Sequence, residues 1–232
     1  TCENFLKEKI IPSKLIAYYL ALLQNVYSKT GLDMNKTRFR ELSSQERAFY
    51  AKHAWDFEVE ASVGWVELVA CNDRGDYDLS GHSKGSKQDL TVMDGDEKVL
   101  PHIFELSMGI DRSIYCIMEH VLKEEKVREE TRTNLMLPPI LAPISVAIFP
   151  LVNKDGLPEK ATEIYQSLKK TGFDVSYDAS GSIGRLYRRQ DEIGTPFCIT
   201  VDYDTLKDNT VTIRNRDSMQ QKRIKISELA TH

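Results

Sequence analysis

The chain has 232 residues, 41% of them hydrophobic and 28% charged, with 31 Lys+Arg against 35 Asp+Glu for a net charge of −4. This is the balance of a globular protein with a substantial core, long enough for one large or two ordinary domains. It excludes nucleic-acid binding driven by bulk positive charge, and no apolar run approaches the roughly 20 residues of a membrane span, so no membrane partner is expected.

The opening stretch, TCENFLKEKIIPSKL, lacks the pattern of a signal peptide, and a cytoplasmic location is expected. Residues 13–30, SKLIAYYLALLQNVYSKT, predict a helix capped by Ser13 and followed by Gly31. Its apolar residues occupy most faces, which predicts burial between other elements. TRFREL at 37–42 suits a strand, and residues 44–56 read as a helix with Ser44 as its cap. GWVELVAC at 64–71 alternates as a strand, placing Trp65, Glu67 and Val69 on one face and Val66, Leu68 and Ala70 on the other. A carboxylate between Trp65 and Val69 needs a partner or a metal if buried, or else an exposed edge. The stretch NDRGDYDLSGHSKGSK at 72–87 reads as a polar turn. There the planar fork of Arg74 suits a substrate carboxylate, unless Asp73, Arg74 and Asp78 serve turn chemistry alone. Residues 85–98 are loop-like.

The segment 101–120, PHIFELSMGIDRSIYCIMEH, predicts a strand, a glycine break and a helix. Alternation sends His102, Phe104 and Leu106 to one face and Ile103, Glu105 and Ser107 to the other. Gly109 permits the tight exit, and Ile110, Ile114, Ile117, Met118 and Val121 then form a helical stripe. Arg112 falls in the first helical turn, where a cation is unfavourable unless an anion lies between it and the helix end; that makes it a candidate phosphate contact. The alternative is a surface arginine on an ordinary strand-to-helix turn.

The charged run KEEKVREETR at 123–132 reads as a solvated helix face, and the prolines of LMLPPILAP at 135–143 mark a boundary, giving domains at 1–138 and 139–232. Beyond it, ISVAIFPLV, FDVSYD and PFCITVDYD predict strands alternating with helices at 158–172 and 183–194, followed by TVTIRNRDS and the amphiphilic QQKRIKISEL. Such alternation predicts a small α/β domain with a mostly parallel sheet. Residues 139–232 hold 13 Lys+Arg against 12 Asp+Glu, whereas the first 138 hold 18 against 23, so RNA contact would rest on local clusters. Arg185, Arg188 and Arg189 crowd one helix, and Arg214 and Arg216 share one face of a strand. Guanidinium groups pair with phosphates and stack on splayed bases, though Asp191, Glu192 and Asp217 are also there to neutralise them. Cys2, Cys71, Cys116 and Cys198 lie far apart with no C-x-x-C pair, which predicts free thiols and no zinc site; Cys116 and Cys198 sit in apolar, core-like surroundings.

The E-x-S-x-G-x-x-R form of the 101–120 segment resembles motif 3 of class II aminoacyl-tRNA synthetases, in the version of the dimeric glycyl-tRNA synthetases of eukaryotes and archaea. Residues 38–58, 64–84, 180–206 and 212–229 resemble the same family in the same order. The resemblance implies an antiparallel class II sheet with helices in residues 1–138 and an anticodon-binding domain in 139–232. It implies that Glu67, with the adjacent Leu68 backbone, and Arg112 contact ATP, with Glu67 also meeting Mg2+ through the nucleotide. Glu105, Leu106 and Ser107 match the positions that hold glycine, and Arg74 is a weaker match for the glycine carboxylate. Arg185, Arg188, Arg189, Arg214 and Arg216 are then candidate tRNA contacts, and no residue acts beyond substrate positioning. No stretch resembles motif 1 or motif 2; Phe39, Arg40 and Glu41 have the wrong spacing for motif 2. The family's long insertion before motif 3 has little room at 85–98, so either this form lacks it or its residues are not in this chain. The expectation is the C-terminal part of a homodimeric ligase that joins glycine to tRNA(Gly) with ATP. The alternative is a non-catalytic relative that binds RNA or protein.

Overall fold

A computed structural model describes residues 2–127 and 130–231, and the chain divides into two compact units, Thr1–His120 and Val121–His232. The side chain of Cys2 and residues Arg128 and Glu129 of the charged run lie outside the described residues.

The first unit begins with helices α1 (Cys2–Lys7) and α2 (Lys14–Tyr27). Ser13 caps α2 by accepting from the Ile16 N–H at 3.2 Å. Four strands follow: β1 (Thr37–Glu41), β2 (His53–Ala61), β3 (Gly64–Gly75) and, after helix α3 (Tyr77–Ser86) and the small hairpin β4 (Val92–Asp94) and β5 (Glu97–Val99), β6 (Ile103–Met108). They form an antiparallel sheet in the order β1-β2-β3-β6. Helix α4 (Ile110–Val121) completes the unit. One face of the sheet packs Trp55, Phe57, Val59, Val69 and Cys71 against Ile16, Leu20, Leu23 and Tyr27 of α2 and Cys116 of α4.

Several expectations change here. Helix α2 is not enclosed: it buries one face, while Leu15, Tyr18, Leu22 and Val26 stay exposed. Residues 44–56 are not a helix. Ser43, rather than Ser44, starts a turn in which the Glu46 carboxylate accepts from the Ser43 N–H at 3.0 Å, and the chain then enters β2, whose Ala54–Val59 are all buried. The strand alternates, with Trp55, Phe57 and Val59 facing the core and Asp56 and Glu58 the other face, a period-two pattern that outweighs the helix expected to run to residue 56. The polar stretch 72–87 supplies the end of β3 and then α3, and the expected loop contains a hairpin turning at Gly95, where φ is +61°. In α4 Cys116 and Ile117 pack on the core and Ser113 is buried beside Tyr27; Ile110, Ile114 and Met118 of the expected stripe are exposed.

The second unit starts with a hairpin, β7 (Leu122–Val127) and β8 (Glu130–Leu135), where a helix face was expected. The expected domain boundary at 138/139 thus falls after an element that belongs to this compact unit. A five-stranded sheet follows in the order β10-β9-β11-β12-β13, formed by β9 (Val146–Pro150), β10 (Val175–Tyr177), β11 (Phe197–Val201), β12 (Thr210–Asn215) and β13 (Gln221–Lys225). The β10-β9 and β9-β11 pairs are parallel, while β11-β12 and β12-β13 are antiparallel, so the sheet is mixed. Helix α5 (Leu157–Lys170) covers one face through Leu157, Ala161, Ile164 and Leu168, and α6 (Ile183–Glu192) covers the other through Leu186 against Ala147 and Phe149. A short helix α7 (Thr205–Asp208) links β11 to β12.

Candidate functional site

The second face of the first sheet is polar, and its register arranges the predicted residues. Across the strands, Arg38, Glu58 and Glu67 form one row; Arg40, Asp56, Ala70 and Ser107 the next; Ala54, Asn72 and Glu105 the third. Simple alternation would have put Glu67 beside Val69. A β-bulge prevents this: Phe57 pairs with Val69 and the adjacent Glu58 with Glu67, so Leu68 is the extra residue and Glu67 joins the polar face. Leu68 itself is buried, and its carbonyl accepts from the Gly109 N–H at 2.9 Å, which fixes the end of β6 to the bulge.

Two carboxylate–guanidinium groups flank the Ala70–Ser107 row. On one side Arg112 Nη1 lies 3.4 Å from Glu67 Oε1, both partly open to solvent. The anion that the helix end required is therefore a carboxylate of this chain. A Cβ at Gly109 would stand 2.7 Å from Arg112 Nε, so a larger residue there would push the flexible Arg112 side chain aside. Ser113 steadies the first helical turn, donating to the Gly109 carbonyl at 2.8 Å and sharing a 2.8 Å hydrogen bond with Tyr27.

On the other side Arg74 donates to Glu105 Oε2 at 2.7 Å and, through Nε and Nη2, to Asp78 at 2.7 and 2.6 Å. The Arg74 guanidinium also lies 4.0 Å from the centroid of the Tyr50 ring. Asp78 first and Glu105 second hold the Arg74 proton even more firmly than usual. Ser107 is exposed on this face, between the two groups, and Leu106 points to the opposite face, where it pairs in register with Cys71. Asp78 and Tyr50 were not among the expected site residues; the R-x-x-x-D spacing from Arg74 to Asp78 was the available signal.

Asp56 and Glu58 were missed altogether. Both are buried beneath this face, held by Arg38 and Arg40: Arg40 reaches Glu58 at 3.0 Å and Asp56 at 3.4 Å, and Arg38 bonds Glu58. Burial, then the nearby Glu67 carboxylate, push the Asp56 carboxyl up to about 6. Among the described residues, no group of three or more His, Cys, Asp or Glu could hold a metal ion. Glu67 is thus a single donor, suited to an ion that brings its remaining oxygen ligands with it.

The expected tRNA arginines divide. Arg185, Arg188 and Arg189 are exposed on α6, Arg189 bonding Asp178 at 2.8 Å. Arg214 and Arg216 are not presented to solvent, being 6% and 2% exposed. Arg214 gives two hydrogen bonds to Asp191, at 2.8 and 3.0 Å. Arg216 donates to Asp217 and to the carbonyls of Gly194 and Leu137. Both arginines build the interior, and their place in the tRNA set is withdrawn. Cys71, Cys116 and Cys198 are buried and free; burial pushes the Cys71 and Cys198 thiols up to about 12.

Residues 145–232 match a family model described as an anticodon binding domain. The chain is 46% identical over 211 residues to the glycine–tRNA ligase of Treponema denticola, a match covering 88% of this chain and 47% of that protein. It is 35% identical over 312 residues to that of Methanococcus maripaludis, covering 99% of this chain and 54% of the relative. The chain belongs to the glycyl-tRNA synthetase family. It spans about half the length of the curated relatives it matches. A third member, from Clostridium tetani, is 47% identical over 211 residues, covering 90% of this chain and 45% of its own length. Similar glycyl-tRNA synthetases are thus bacterial as well as archaeal. The methanococcal match runs over 312 residues although this chain has 232, so that synthetase carries extra sequence within the matched span; the 211-residue matches leave room for only a few extra residues.

Proposed function

We propose that this chain supplies part of the active site and the tRNA-binding domain of a cytoplasmic, homodimeric glycine–tRNA ligase. The observation that carries the reading is the placement of Glu67–Arg112 and Glu105–Arg74–Asp78 on either side of the Ala70–Ser107 row of one sheet face. Glu105 takes the glycine ammonium and Arg74 its carboxylate, each exchanging part of an existing ion pair for the matching charge of the substrate. Ser107 limits the room at the α-carbon. Glycine has no side chain to recognise, so selection must work by excluding larger amino acids.

In the first step a carboxylate oxygen of glycine attacks the α-phosphorus of ATP, and pyrophosphate leaves. Arg112 binds the terminal phosphate, offsetting the charge on the leaving group, and Glu67 with the Leu68 backbone holds the nucleotide. Glu67 would also hold the Mg2+ that accompanies ATP, an ion whose chemistry here is to neutralise phosphate charge. In the second step a terminal hydroxyl of tRNA(Gly) attacks the activated carbonyl carbon and AMP leaves. Arg185, Arg188 and Arg189 on α6 contact the tRNA through their exposed guanidiniums.

The test is glycine-dependent ATP–pyrophosphate exchange by the full-length enzyme. Exchange that disappears in Arg112→Ala supports the reading. tRNA binding without exchange in the unsubstituted full-length protein would instead make it a non-catalytic RNA binder.

A further inference from the structure

The position of Arg74 is set by its side-chain neighbours more than by the sheet. In the β3–β6 pairing Asp73 lies opposite Phe104 and Gly75 opposite Ile103, so Arg74 is the extra residue of a second bulge and stands outside the register. Its long side chain is nevertheless held on three sides. Asp78, in the first turn of α3, takes the edge made by Nε and Nη2 with both carboxylate oxygens, at 2.7 and 2.6 Å. The Tyr50 ring lies against one flat face of the guanidinium, 4.0 Å from its carbon, and Glu105 accepts one bond from Nη1. These bonds use Nε, one N–H of Nη2 and one of Nη1, which leaves a second N–H on each terminal nitrogen for a ligand. The turn that returns the chain from Arg74 to Asp78 is tight: Gly75 has φ +55°, and its N–H donates to the Asp73 carboxylate at 3.0 Å.

We propose that Asp78 is a positioning residue for glycine: by keeping the Nε–Nη2 edge of Arg74, it leaves the far end of the guanidinium for the substrate carboxylate and Glu105 for the ammonium. The inference rests on the synthetase reading, in which Arg74 and Glu105 divide the two charges of glycine, and it adds the residue that keeps those two roles apart. A guanidinium favours two parallel bonds to one carboxylate. Asp78 satisfies that preference from the side, so Arg74 gives Glu105 a single bond. Without Asp78, Glu105 is the carboxylate that Arg74 already touches, and the fork closes onto it. The pair then neutralises itself, and glycine has to break two bonds in place of one. Asp78 does this without meeting the substrate, and it acts only through Arg74.

The experiment uses the full-length enzyme and reads glycine-dependent ATP–pyrophosphate exchange. Asp78→Asn keeps the shape but offers one acceptor oxygen and turns an amide NH2 toward the guanidinium. KM for glycine rises roughly 10- to 100-fold, the range for a lost charge-assisted pair, while kcat and the KM for ATP stay within about threefold. Asp78→Glu, which keeps the charge at a longer reach, gives an intermediate glycine KM with the same unmoved KM for ATP. Arg74→Lys, whose ammonium has no fork to hold, raises the glycine KM by itself, and adding Asp78→Asn to it changes that value by less than about threefold. A glycine KM within about twofold of the unsubstituted enzyme in Asp78→Asn would overturn the proposal. So would a parallel rise in the KM for ATP, which marks a general loosening of the fold, or full additivity with Arg74→Lys, which means that Asp78 does not act through Arg74. Absence of exchange in the unsubstituted enzyme would instead overturn the synthetase reading itself, a distinguishable outcome.

Discussion

Asp191→Asn tests how the second unit holds its leading hairpin. Asp191 accepts from Arg132 Nε at 2.9 Å and from Arg214 at 2.8 and 3.0 Å, while Arg132 also reaches the Arg216 carbonyl at 2.7 Å. Asparagine preserves the volume but leaves two buried guanidiniums facing each other with no carboxylate between them. Removing one partner from a buried charge cluster costs about 3–5 kcal/mol. With a urea dependence of roughly 2 kcal/mol per molar, the unfolding midpoint of the second unit drops by about 2 M. The control is Asp178→Asn, which removes the partner of Arg189 on the surface, where an ion pair contributes about 1 kcal/mol or less. Urea titrations read by hydrogen exchange at the β9 and β11 amides isolate the second unit. Equal midpoint shifts in the two variants would refute the role given to burial.

Asp56 gives a pH signature. Its carboxyl, raised to about 6 from an ordinary 3.8, binds its proton more tightly in the folded chain than in the unfolded one. The stability this contributes is therefore complete below about pH 4 and is lost as pH rises through 6. Asp56→Asn flattens that fall, by up to about 3 kcal/mol between pH 4 and 7.5, in denaturation curves taken at both pH values. Glu67→Gln lowers the Asp56 midpoint in an NMR titration; an unmoved midpoint would mean that the two carboxylates do not sense each other. Ser107→Ala weakens discrimination against alanine by about tenfold in the exchange assay, and unchanged selectivity would remove Ser107 from the pocket. Gly194 has φ +83°, and a Cβ there would stand 2.9 Å from Leu137 Cδ1 and 3.1 Å from the Leu135 carbonyl, so Gly194→Ala lowers stability by about 2 kcal/mol or more in thermal melts. Leu137→Ala in the same background relieves only the side-chain part of that strain.

What the sequence disclosed depended on whether a local pattern survived its surroundings. Ser13 and the β6–Gly109–α4 junction were legible because a cap, an alternating strand and a glycine turn are fixed by neighbours in the chain. Glu105 and Ser107 share a face for the same reason. Glu67 was placed beside Val69 because a bulge adds a residue that no periodicity reveals; only pairing with β2 moves it to the polar face. Asp56 and Glu58 lie in a stretch read partly as helix, and although β2 alternates, nothing local shows that its acidic side is buried; the compensating charge comes from Arg38 and Arg40 across the β1–β2 pairing. Arg214 and Arg216 looked like RNA ligands because residue type does not report depth. Their partners, Asp191 and the carbonyls of Gly194 and Leu137, come from separate parts of the chain.

The β7–β8 hairpin has a practical consequence for anyone who wants the second unit as a stand-alone reagent. The matching family profile starts at residue 145, which invites a cut near the prolines. Such a cut discards Arg132 and the Leu137 carbonyl, so Asp191 keeps a single cationic neighbour and Arg216 loses an acceptor. An expression boundary at or before Leu122 retains both and is the one to clone.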